Sequence, residues 1–249
     1  MYRPTLLVLL LSLALTPLAR AECTDPPARG VIWIGCDLQG RDLAGADLRG
    51  AVIRESRLQG ARLDNARLSG ADLKFSNLEG ASLRRARLDG ARLGGANLSR
   101  ADLEQADLSR SVLDVANLAH ARLDHARLPQ ARLYKARLDS ASLQHADLAE
   151  ARLSKADLTD ANLSHARLTG ADLSDAILEY ALLIEADLTR ARLDRAQLSG
   201  ADLSRARLEQ ASLVDARLDG TRLDRARLDS ALWVDRRRCP AGSVGHCGD

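Results

Sequence analysis

Ala96-Asn97-Leu98-Ser99-Arg100-Ala101-Asp102-Leu103-Glu104-Gln105-Ala106-Asp107-Leu108 decides the fold, because the same five-residue unit recurs on either side of it without interruption. From Leu38 to Leu228 every fifth residue is leucine except Ile53, a run of 39 positions in one register. Two residues before each sits alanine, apart from Cys36, Arg41, Ser56, Ser76, Ser111 and Thr221. Extended outwards, the register lands on Trp33 at one end and Trp233 at the other. An internal repeat of this kind is read before any other signal.

A period of five suits neither regular element. On a helix, steps of five rotate each leucine by about 140°, so no apolar stripe forms. On a strand, five is odd and successive leucines would point to opposite faces. The chain must therefore turn once per unit to keep every leucine inside. In a coil that narrow, one inward position holds a large side chain and the other must be small, which is why alanine precedes leucine.

These units, typified by Ala46-Asp47-Leu48, Ala101-Asp102-Leu103 and Ala161-Asn162-Leu163, resemble the pentapeptide repeat family, whose unit is Ala-(Asp/Asn)-Leu-x-x. The resemblance covers residues 31–235. It implies an all-β fold, a right-handed quadrilateral parallel β-helix with four repeats per coil, hence about ten coils. At about 4.8 Å per coil the rod would be close to 50 Å long. The chain departs from the family unit before the leucine, where arginine often replaces aspartate, as at Arg57, Arg62, Arg67, Arg122, Arg127, Arg132 and Arg137. That leaves the fold intact and weakens any carry-over of a relative's binding surface.

Composition agrees. The 249 residues are 46% hydrophobic but only 2% aromatic, with one Phe and one Met, so leucine and alanine carry the apolar share. A conventional enzyme core of this size would need more Phe, Tyr, Ile and Val.

Residues 1–21 read as a secretory signal: Arg3, the apolar run Leu6–Leu15, then Ala19-Arg20-Ala21 before a cut after Ala21. About ten apolar residues are too few to span a bilayer, so no stable membrane insertion is expected. The organisation that follows is a signal (1–21), an N-terminal cap segment (22–30), the β-helix (31–235) and a C-terminal cap (236–249). Removing Arg3 and Arg20 from the 36 Lys+Arg leaves 34 against 34 Asp+Glu, a neutral mature chain. Nucleic-acid binding, which wants a basic face, is not expected. In an exported protein the cysteines Cys23, Cys36, Cys239 and Cys247 suggest two disulfides. Three pairings are open; proximity in sequence favours Cys23 with Cys36 and Cys239 with Cys247, one stapling each end.

Residues 20 apart should stack into columns. One column reads Asp47, Arg67, Arg87, Asp107, Arg127, Asp147, Arg167, Asp187, Arg207, Arg227, an expected cross-coil ladder of ion pairs. Asn77, Asn97 and Asn117 form a candidate amide ladder. His125, His145 and His165 make a corner column that two imidazoles could use to share a zinc or copper ion, though no cysteine or paired carboxylate completes the set. Ile177, Tyr180, Leu182 and Ile184 place apolar groups in outward slots, a candidate contact for a partner. Phe75 and Val115 flank Gly95 and are expected to close over it. Pro129, the one proline inside the array, must lie where the ladder needs no donor.

No nucleophile–base set, phosphate loop or cofactor fingerprint accompanies the repeats, so neither an enzyme nor a cofactor is expected. The reading is an exported, non-catalytic scaffold whose flat charged faces meet a protein partner. Members of the family that imitate DNA and protect type II topoisomerases are cytoplasmic and acidic, unlike this chain; an envelope metal binder using the histidines is the other alternative. Partner identity and oligomeric state are not fixed by the sequence.

Overall fold

The computed structural model describes residues 23–248; the expected leader, residues 1–21, lies outside the described residues. Ten successive parallel bridges, each a step of 20 residues, run from Ile32 to Leu232. The chain is a right-handed quadrilateral parallel β-helix. We number its sides in chain order: side 1 carries Ile32 and its 20-residue successors, side 2 Asp37, side 3 Asp42 and side 4 Asp47.

Backbone hydrogen bonds make one side from five residues. The amide of Arg67 donates down to Ala46 (2.9 Å), and its carbonyl accepts from Leu48 (2.7 Å), so the outward residue before leucine ties its coil to the coil below. The Gly50 amide reaches Ser69 in the next coil (3.0 Å). Each corner is a β-turn: the Ala46 amide returns to the Leu43 carbonyl (3.1 Å), with Gly45 at φ +68°. A positive φ at the third turn residue is the type II pattern. The conformation recurs at residues bearing side chains, including Val115 (φ +61°), His125 (φ +60°) and Tyr180 (φ +58°). Such conformations cost about 1–3 kcal/mol each and persist only where the surroundings dictate them; here the ladders on both sides do.

The amide of the fourth residue in the unit is the one without a backbone acceptor. Where the second residue is Asp or Asn, its side chain takes that amide: Ser109 donates to Asp107 (3.0 Å) and Ala119 to Asn117 (3.1 Å). Where arginine or serine stands there, an aspartate one coil below can serve, as Asp114 does for Tyr134 (3.2 Å) in the unit of Arg132 and Asp124 for Gln144 (3.0 Å) in the unit of Ser142. Pro129 occupies this fourth position, so its missing N–H is not needed, as the sequence reading required.

Inside, the leucine column is closed to solvent; Leu128 is 0% exposed, as are most of its counterparts. Burying a leucine contributes roughly 1.5–3 kcal/mol, and thirty-odd of them offset the backbone entropy of so regular a chain. Three of the alanine exceptions have a separate role. The Ser56 hydroxyl donates to the Trp33 carbonyl (2.8 Å) and accepts the Cys36 amide (3.1 Å), while Ser76 accepts the Ser56 amide (3.3 Å) and donates to the Ile53 carbonyl. These buried bonds knit the first coils together, and only the shared 20-residue spacing of Cys36, Ser56 and Ser76 hinted at them.

The ends differ. Trp33 is fully buried and fills the mouth of the first coil, with the Arg41 guanidinium 5.2 Å from its ring centroid and bonded to the Cys23 carbonyl (3.3 Å). Disulfides join Cys23 to Cys36 and Cys239 to Cys247, the pairing that proximity favoured. After Leu232 the chain reverses and pairs antiparallel, Leu232 with Arg238 and Arg227 with Val244, covering the end of sides 1 and 4.

Candidate functional site

With the shaft filled by leucine and alanine, the chemistry lies outside it. Surface depressions are open; a smaller one by Phe75, Gly95 and Val115 is mainly apolar, and those on sides 3 and 4 are lined mostly by charged groups, for example Arg87, Asp89, Asp107, Arg110 and Arg127 on side 4. Their character follows from the ion pairs.

The expected ladder on side 4 forms only in part. Arg167 meets Asp147 at 3.0 Å and Arg207 meets Asp187 at 3.6 Å, both across coils. Asp47 instead pairs within its own coil with Arg49 (2.5 Å), which holds its carboxyl down to about 2 from 3.8. Arg227 turns to Glu209 (3.0 Å). Arg67 and Arg87 are stacked neighbours of like sign, and the short side of the coil lets a long arginine reach residues 2 or 18 positions away as readily as 20. Cross-coil pairing is better developed on other columns: Arg195 and Asp175 make a two-point contact (2.7 and 2.8 Å) that lowers the aspartate's pKa and raises the arginine's. For Asp187 and Asp202 burial pushes the carboxyl up; the Thr189 hydroxyl and amide on one and the Ser204 amide on the other, with Arg207 and Arg222 nearby, overcome it and the pKa of each ends lowered. Exposed pairs of this sort are worth about 0.2–1 kcal/mol each. The asparagine ladder is complete, Asn97 donating to Asn77 (3.2 Å) and Asn117 to Asn97 (3.1 Å).

The histidines do form a column. His125 and His145 lie 4.9 Å apart between centroids with 2° between ring planes, His145 and His165 4.8 Å with 5°. His165 continues towards Glu185 (3.4 Å). Ring-nitrogen lone pairs lie in the ring plane, so stacked imidazoles aim them side by side. Rings stacked nearly 5 Å apart are spaced wider than the about 4.2 Å that two bonds of about 2.1 Å to one shared ion can span. Among the described residues no group of three or more His, Cys, Asp or Glu is placed to hold a metal ion. The metal alternative therefore gains no geometric support.

The apolar slots are partly filled from within. Tyr180 is 63% exposed yet lies flat over Gly200, where a Cβ would come within 2.6 Å of its ring. Leu182 is exposed, whereas Ile177 and Ile184 are half-buried. The four residues wrap the corner between sides 2 and 3 without making one flat patch. Phe75 covers Gly95 in the same way, but Val115 stays 62% exposed, so the two do not close over the gap. Among the described residues no helix is long and apolar enough to cross a membrane.

Comparison with known proteins fits this architecture. The family model for pentapeptide repeats matches eight copies across residues 34–70, 66–105, 96–133, 136–175, 166–205 and 201–231. The chain belongs to the pentapeptide repeat family. Among solved structures it is similar to HetL, a pentapeptide repeat protein involved in heterocyst differentiation regulation from the cyanobacterium Nostoc sp. strain PCC 7120, at 37% identity over 77% of this chain and 91% of that one, with a TM-score of 0.61. It also matches the pentapeptide repeat protein Rfr23 from the cyanobacterium Cyanothece 51142 at 38% identity over 37% of this chain and 63% of that one (TM-score 0.37). QnrB1, a plasmid-mediated fluoroquinolone resistance protein, matches at 20% identity over 76% of this chain and 92% of that one (TM-score 0.47). None of the curated proteins compared with the chain matches it.

Proposed function

We propose that the protein is an exported, non-catalytic scaffold whose flat, ion-paired sides are read by a protein partner in the cell envelope. The observation that carries this reading is the filled shaft. Leucines at 0% exposure leave no interior hollow, and the depressions on sides 3 and 4 are open to water and lined largely by arginine and aspartate. General acid–base chemistry needs a site that orients groups and excludes water, and flat sides of this width do not supply one. What they supply is a rigid grid of charge, held in register by backbone ladders, at the spacing of the coils. Interfaces of that kind gain specificity and association rate from charge complementarity. Two disulfides support export, because such bonds persist in oxidising compartments.

Expression from the natural start with a C-terminal tag, followed by fractionation and N-terminal sequencing, tests the export half: a chain beginning at Glu22 outside the cytosol is expected, and a cytosolic chain beginning at Met1 overturns it. Photocrosslinkers placed singly on the four sides test the other half. A reproducible adduct from one side, lost when its arginines are reversed in charge, is expected; adducts spread equally over all sides overturn the idea of a read face.

A further inference from the structure

The C-terminal cap closes only half of the rod's end. On side 1 the Trp233 amide donates to Arg237 (2.8 Å) and the Ala231 carbonyl accepts from Cys239 (2.8 Å). On side 4 the Leu228 amide donates to Ser243 (2.9 Å) and the Ala226 carbonyl accepts from Gly245 (2.8 Å). On sides 2 and 3 the equivalent groups have no partner among the described residues: the amides of Leu218 and Leu223, and the carbonyls of Ala216 and Thr221. The uncovering extends to the core. Of the array's leucines from Leu38 to Leu228, Leu218 and Leu223 alone are half-buried, not buried. A bare strand edge over a partly open core is a template for another strand.

We infer that these two sides form a slot one strand deep that takes an extended peptide segment of a partner protein, carrying an acidic residue opposite Arg217 and aliphatic residues over Leu218 and Leu223. Charge selects this occupant. Arg217 is exposed, stacks on Gln197 and forms no ion pair among the described residues, whereas Arg222 beside it is engaged by Asp202 (3.0 Å) and Asp224 (3.5 Å). Arg225 at the next corner, also exposed, likewise forms none among the described residues. Within the rod, some arginines in the second position of the unit meet an aspartate one coil away, as Arg207 meets Asp187 and Arg62 meets Asp42. The incoming segment would make the bonds that the next coil would have made: a carbonyl for each of the Leu218 and Leu223 amides, and an amide for each of the Ala216 and Thr221 carbonyls. Two sides of a coil with 20 residues accommodate about ten residues. A second copy of this chain cannot stack coaxially in the same register. Its Asp37 would lie above Arg217 only if its Ile32 occupied the place of Leu232, and the strands at Arg238 and Val244 stand in the way.

This inference goes beyond the reading of the flat sides and can fail without them. The test uses the full oxidised protein and a fluorescein-labelled decapeptide, alanine-aspartate-leucine-serine-glycine twice over. Saturable binding by anisotropy is expected, with at least a tenfold loss for Arg217→Glu and for the same peptide with lysine in place of aspartate. Amide hydrogen exchange at Leu218 and Leu223 should be fast in the free protein and slowed by the peptide. Absence of saturable binding, equal binding of the lysine peptide, or protection at other amides overturns the proposal. Protection of Leu218 and Leu223 that rises with protein concentration and needs no peptide also overturns it, by showing that a second copy fills the slot.

Discussion

The Pro129 carbonyl accepts the Arg110 amide from the coil below at 2.9 Å, while the proline nitrogen stands at the one position of the unit from which no backbone bond is drawn. A proline inside a β-structure is thereby explained by position alone. The second and fourth residues of each unit are not interchangeable: the second gives both its amide and its carbonyl to neighbouring coils, the fourth its carbonyl alone.

Proline at another fourth position should therefore be tolerated, and proline at a second position should not. Glu179→Pro falls at the second residue of a turn, where proline is favoured, and is expected to change stability by less than about 1 kcal/mol. Ile177→Pro removes the bond from the Ile177 amide to Ala156 (2.9 Å) and is expected to cost about 3 kcal/mol or more. Thermal unfolding followed by circular dichroism compares the two.

Leu128 is 0% exposed at the middle of the array. Leu128→Ala should cost about 2–5 kcal/mol through lost burial and a residual cavity, and Leu128→Asp should abolish cooperative unfolding. A shift no larger than that of Arg127→Ala on the surface would contradict the filled shaft.

Val115 holds a β-branched side chain at φ +61° with 62% of it in solvent. Val115→Gly should raise the melting temperature, because relief of about 1 kcal/mol of backbone strain outweighs the little packing such an exposed group provides. Denaturant titration reads the gain; a loss of stability would show that Val115 packs on Phe75 after all.

Acid should weaken the rod over a defined window. The folded pKa values of Asp47, Asp175, Asp187 and Asp202 are lowered. A lowered folded pKa means stability that is present above the unfolded value and lost as pH falls through the folded one. The melting temperature should thus decline from near pH 3.8 towards about 2, the limits set by Asp47. Asp187→Asn should be less stable at neutral pH and show a shallower decline, measured by calorimetry.

Reducing the Cys239–Cys247 bridge should loosen the cap before the coils. With Cys239→Ser and Cys247→Ser together, amides that depend on the cap, those of Leu228 and Trp233, should exchange faster, while Leu128 stays protected. Uniform loss of protection would show that the cap and the coils unfold as one.

The sequence by itself determined the coil. A leucine every five residues, with alanine two before it, is compatible with burial only if the chain turns at each unit; four units per coil, which the resemblance to the family implied, then placed residues 20 apart in register and with them the histidine and asparagine columns. The tertiary structure alone decided where the long side chains go. Arginine has several carboxylates within reach, at separations of 2, 18 or 20 residues, and choosing Arg49 for Asp47, or leaving Arg217 without any, depends on local geometry. It also decided the ends, since the chain's reversal after Leu232 follows no repeat, and the uncovered amides of Leu218 and Leu223 emerge only once the cap is seen to occupy two sides of the four.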